Sequence, residues 1–133
     1  MANSSKIIVL SSQDNWDDWI FVVKSMATGR RNVWKYINPD LQNPPELPII
    51  PENPLVSEVK RGANSILDLD QKKLEHYKFL YTQTQNQASD IARILDQIQL
   101  IREWILNHTT PAILKYIRNE CEVHGMLKGL AKR

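Results

Sequence analysis

Apolar positions recur at helical spacing on both sides of one proline-rich interruption. Trp16, Trp19, Ile20, Val23 and Ala27 stand at i, i+3, i+4, i+7 and i+11 and predict an amphipathic first helix. Ser12 or Asp14 is placed to cap it, and Asp17 and Asp18 fall in its first turn, where the helix dipole favours negative charge. Phe21 and Val22 lie off the stripe, so the helix is expected to be covered on more than one side. Gly29 ends it, with Arg30 and Arg31 near the negative pole. Val33, Trp34 and Ile37 predict a short second helix that stops before Pro39. Ahead of these, Ile7 to Leu10 has no second strand to pair with and reads as an extended lead-in packed on the helices.

Six of the seven prolines lie between Pro39 and Pro54. That belt, residues 39–54, cannot form a helix or a central strand. Prolines 45, 48, 51 and 54 recur every third residue, the period of polyproline II, and so line one edge. Such an edge could serve an SH3-type groove. The preferred reading is a strap pinned by Leu47, Ile49 and Ile50, because apolar pins are plentiful and the neighbouring charges, Glu46 and Glu52, are acidic. Val56, Val59, Ala63 and Ile66 mark a short amphipathic helix after it.

A long helical register follows, from about 70 to 107. Asp68 or Asp70 starts it, and Asp68 with Gln71 has capping-box spacing. Leu74, Tyr77, Tyr81, Thr84, Ala88, Ile91, Leu95, Ile98 and Ile105 advance in steps of three and four, with Arg102 as one polar exception. An unbroken helix of that length measures about 57 Å, against roughly 35–40 Å for a compact domain of this size. Either the helix breaks near 85–89, or its end projects and needs a partner, which hints at self-association. Thr110 and Pro111 then start another helix, whose apolar face is Ile113, Leu114, Ile117 and Cys121. His124 and Gly125 mark a turn, and Met126, Leu127 and Leu130 a last amphipathic stretch. The expected fold is all-α: a compact single domain, 1–133, of about five helices with one long central helix and the strap.

Composition narrows the function. With 17 basic and 15 acidic residues the net charge is +2, so no field compels binding to nucleic acid or to an anionic membrane. The single cysteine excludes a disulfide framework within the chain and agrees with a reducing, intracellular setting. The four-residue apolar run near the N-terminus is too short for a signal peptide or a membrane span. The reading is cytoplasmic, without membrane partners.

Catalysis needs convergent groups, and the sequence shows none. His76, His108 and His124 are dispersed, and no HExxH, GxSxG, P-loop or GxGxxG occurs. Cys121 and His124 have the spacing of half a zinc knuckle without its other half, and are read instead as a buried thiol beside an exposed imidazole. No catalytic residue, metal, cofactor or small-molecule substrate is expected. The weaker candidates for RNA contact are Arg30, Arg31 and Lys35 beside Trp34, and Lys128, Lys132 and Arg133; core or solvated-face roles are preferred for them.

The segment "NWDDWIFVVKSMATGRRNVWKYINP" carries Asn15, Trp16, Trp19, Lys24, Trp34, Tyr36 and Pro39. This resembles the N-terminal signature of Gag proteins from copia-type LTR retrotransposons, fungal ones above all, although tyrosine is commoner there at the place of Trp16. The resemblance continues through the proline belt, "LDLDQKKLEHYKFLY", "REWILNHTTPAIL" and "MLKGLAKR". It implies a structural capsid protein that multimerises into virus-like particles around element RNA, with this chain the first part of a longer polyprotein. RNA would then be gripped mainly by later parts. The alternatives are a domesticated Gag-derived module that binds a protein partner, and an RNA-binding domain. Trp16, Trp19, Trp34 and Tyr36, with Trp104, are expected to form a core cluster that clamps the first two helices onto the long one.

Overall fold

A side-chain cap starts the first helical run in the computed structural model, which describes residues 8–29 and 31–132. Ser12 Oγ accepts from the Asp14 N–H at 3.3 Å and starts a 3-10 turn, Gln13–Asn15, that runs into α1, Trp16–Gly29. A tight connection leads to α2, Trp34–Ile37. The longest element is α3, Gln71–Asn107, followed by α4, Pro111–Leu114, and α5, Val123–Ala131. The described residues are all-α, with one isolated parallel bridge between Leu10 and Thr109. No helix among them is long and apolar enough to cross a membrane.

These residues gather into two compact units, 1–47 with 94–133, and 48–93. The first holds a continuous core. Leu10, Trp19, Val23, Val33, Ile105, Met126, Leu127 and Leu130 are all fully buried there. α1 contributes Trp19, Val23 and Ala27 to it, while Phe21 is 68 % exposed, so α1 is not closed over on that side. Ile8 packs on this core and Leu10 is tied to the end of α3: Leu10 N–H donates to His108 O at 2.8 Å and Thr110 N–H to Leu10 O at 3.0 Å. The lead-in therefore does find a pairing partner; its Ile7 lies outside the described residues.

The second unit contains the strap from residue 48, two 3-10 turns and Gln71–Arg93 of α3. Leu47 at the end of the first unit's share, and Ile49 and Ile50 here, are exposed instead of acting as pins. The half-buried residues are Pro48, Pro51 and Pro54. Three-residue spacing puts these rings on one edge of the extended chain, and that edge faces inward, so the aliphatic residues between them face out. An SH3-type groove would have to read this inward edge. The predicted helix over 56–66 is replaced by turns at Val56–Glu58 and Ile66–Asp68. Between them Gly62 takes φ +84°, a left-handed conformation that ends any helix there and that glycine adopts without strain.

The long helix starts on Asp70, whose Oδ1 accepts from the Lys73 N–H at 2.8 Å. Asp68 turns back to the preceding loop and does not form the box with Gln71. α3 then runs without a break through 85–89, since Gln, Ala and Ser sustain a helix and neither Gly nor Pro interrupts it. In the first unit, α4 ends at Leu114 and gives way to turns, which leaves Ile113 and Ile117 buried but Cys121 exposed. His124 and Gly125 do not interrupt the last helix; they sit in the first turn of α5. His124 is half-buried, so the expected arrangement of buried thiol and exposed imidazole is reversed.

Candidate functional site

The tryptophans are placed by two helices of the first unit. Trp19, on the inner stripe of α1, is completely buried and its indole N–H donates to His108 O at 2.8 Å. That bond satisfies the one polar atom of the ring, which a buried tryptophan requires. Trp16 stacks beside it at 5.7 Å between centroids, and Trp104 of α3 lies 5.7 Å away on another side. Trp104 in turn lies face to face with His108 at 4.1 Å and 9°. His108 Nδ1 is 2.8 Å from Trp104 O and, since a carbonyl can only accept, carries the proton. Trp16, Trp34, Tyr36 and Trp104 are half-buried and pack against the core. Trp34 stands apart from the stack, with Lys24 Nζ 5.7 Å from its ring centre. The cluster is thus a packing device joining α1 to the end of α3, with Trp34 and Tyr36 added from α2.

Of the RNA-contact candidates, Arg30 and Arg133 lie outside the described residues. Arg31 and Lys128 are half-buried; Lys35 and Lys132 are exposed. Lys35 Nζ sits 5.1 Å from the Tyr36 ring, a contact that keeps its charge at the edge of α2. Lys35 belongs to α2 and Lys128 to α5, two helices that pack on each other, while Arg31 lies in the loop before α2. Among the described residues, no three His, Cys, Asp or Glu side chains gather as a metal site would need.

The sequence reading missed Gln97. Its Nε2 donates to Met26 O at 3.0 Å and to Arg31 O at 2.9 Å, so a side chain of α3 satisfies backbone carbonyls at and beyond the end of α1. A glutamine among the polar positions of a long helix carries no signal of that role.

The second unit offers a different surface. Ala63 is its one buried residue. Leu67 is 90 % exposed and Ile49 84 %, and Leu55, Phe79 and Ile66 are each at least half exposed. Ile66, Leu74, Tyr77, Lys78, Tyr81 and Thr82 line a cleft of about 350 Å³. The Tyr77 and Tyr81 rings lie 6.3 Å apart in it, and Tyr77 is held by its hydroxyl, which donates to Pro54 O at 3.1 Å. Leu67 belongs to the same turn as Ile66. That turn is fixed by Asp68, whose Oδ2 accepts from the Asn64 N–H at 2.8 Å and the Ser65 N–H at 3.3 Å. These bonds, with Lys60 nearby, hold its carboxyl below the ordinary value of 3.8. The arrangement presents apolar side chains on a locally rigid frame. It suits a protein contact.

Compared with models of known families, with curated proteins and with solved structures, the chain matches none.

Proposed function

We propose that this chain is a non-enzymatic structural module that associates with copies of itself: the Gag-like N-terminal region of a copia-type LTR retrotransposon, building cytoplasmic virus-like particles around element RNA. The resemblance of the segment around Trp16, Trp19, Trp34 and Tyr36 suggests the family. The observation that carries the mechanism is the second unit, in which Leu67, Ile66, Leu55 and Phe79 face solvent over a single buried alanine. Exposed apolar side chains, where they adjoin as Ile66 and Leu67 do in one turn, are the kind of surface through which proteins make contacts. Repetition of one such weak contact between identical chains builds closed shells when the symmetry closes.

Sedimentation velocity over a range of chain concentrations tests this reading. The chain is expected to associate, and the pair Leu67→Lys with Tyr81→Lys to weaken association at least about tenfold, or 1.4 kcal/mol, with its helical circular dichroism unchanged. A chain that stays monomeric at every concentration counts against it. RNA binding with a steep salt dependence, in the absence of association, moves the function to the nucleic-acid alternative.

A further inference from the structure

Leu67 is 90 % exposed on a turn that several hydrogen bonds hold in one shape. Its own N–H donates to Ser65 Oγ at 3.2 Å, Asp68 Oδ2 accepts from the Asn64 and Ser65 N–H groups, and Lys60 Nζ donates to Asp68 O at 2.9 Å. A leucine held this way in water gains nothing within one copy, and its turn loses little further conformational freedom when another surface covers it. A hole lies beside this knob. Ile66, the preceding residue of the turn, lines the cleft with Leu74, Tyr77, Lys78, Tyr81 and Thr82, and its volume of about 350 Å³ is ample for one aliphatic side chain. The Tyr77 hydroxyl, bonded to Pro54 O, keeps that wall from folding into the space.

We propose that two copies of the chain pair by reciprocal insertion, the Leu67 side chain of each entering the Tyr77–Tyr81 cleft of the other. This rests on the self-association proposed above and specifies its contact. Knob and hole adjoin on one copy, so a two-fold axis brings both pairs together in a single interface; a knob and hole far apart would instead build open chains. Charge selects a second copy as the occupant. From Ser65 to Asp70 the chain carries Asp68 and Asp70 and no basic residue, whereas from Gln71 to Thr82 it carries Lys72, Lys73 and Lys78 against Glu75. Seating Leu67 sets the acidic turn of each copy against the basic first turns of the other's α3. Exposed pairs of this kind add little affinity, but they fix register and disfavour partners of the wrong sign. Within a shell such a contact recurs at each two-fold axis, while other surfaces join the pairs.

Sedimentation velocity of whole-chain variants, alone and mixed, tests the pairing. Leu67→Lys and Tyr81→Glu are each expected to associate at least about tenfold more weakly than the parent chain, with helical circular dichroism unchanged. An equimolar mixture of the two is expected to regain most of that loss, because it joins one native Leu67–cleft pair to one new pair of opposite charge. Mixing Leu67→Lys with Tyr81→Lys instead sets like charges together at the second site and stays at least about tenfold weaker than the first mixture. Thr82→Glu and Thr82→Lys, at the exposed rim of the cleft, serve in place of the Tyr81 variants if those lose helicity. A head-to-tail contact leaves the second site open, so equal association of the two mixtures overturns the reciprocal pairing. No recovery in the first mixture overturns it too. Full association of both single variants does the same, and leaves self-association standing on another surface. A parent chain that stays monomeric at every concentration removes the self-association reading and this contact with it.

Discussion

One helix serves two different settings in this protein. Over Ile94–Asn107, α3 buries Ile98, Ile101 and Ile105 among side chains from α1, α2, α4 and α5; over Gln71–Arg93 it buries nothing completely. The inward positions of that first stretch, Leu74, Tyr77, Thr84, Ala88 and Ile91, are all half-buried. Their cover comes from a proline edge and two short turns, which supply few large side chains. Backbone hydrogen bonding is continuous through both settings, so helicity and core formation are separate properties. Propensity and capping carry α3 through the polar 82–90 stretch, whereas burial requires a neighbour with side chains to interdigitate.

The strongest way to break this contrast is Trp19→Ala. Removing a fully buried indole, with its bond to His108 O, is expected to cost about 3–5 kcal/mol in denaturant unfolding. Unchanged stability would remove the basis for calling the first unit the core. Gln97→Ala should cost about 1–3 kcal/mol, because two carbonyls at the end of α1 lose their donor. In the second unit, Leu67→Ser is expected to alter monomer stability by less than about 0.5 kcal/mol, since the side chain is already in water. A larger loss there would mean that Leu67 is covered in solution. The smallest effect concerns pH. The carboxyl of Asp68 is held low in the folded chain, so the support it gives is present above the ordinary value of 3.8 and fades as pH falls through the lowered one. The Asn64 and Ser65 amide resonances should move in that acidic window, and Asp68→Asn should abolish the dependence.

The first unit was far more legible in the sequence than the second. Trp16, Trp19, Ile20, Val23 and Ala27 announced α1 because an amphipathic stripe against a core is the signal that helical periodicity carries. Thr110 and Pro111 likewise placed the start of α4. The strap was recognised from its prolines, but its orientation was not, since composition alone does not say which edge of a polyproline chain faces inward. Val56 to Ile66 misled for a similar reason: apolar spacing suggested a helix, and the left-handed Gly62 prevented one. The candidate surfaces were the least legible. Tyr77 and Tyr81 stood in the register of α3, yet nothing local indicated that a cleft would stay open beside them. Gln97 gave no hint at all, because its partners lie 66 and 71 positions away.

The carbonyl of His108 receives both the Leu10 N–H and the Trp19 indole, the latter from 89 positions earlier in the chain. During synthesis the N-terminal portion emerges long before that acceptor exists outside the ribosome. The indole of Trp19 must therefore wait, solvated or held by a chaperone, until the segment around residue 108 has emerged as well. Closure over such a separation is entropically slow. Translation pausing downstream of residue 108 should consequently aid maturation of this chain, while pausing upstream should prolong the interval in which its apolar surface can aggregate.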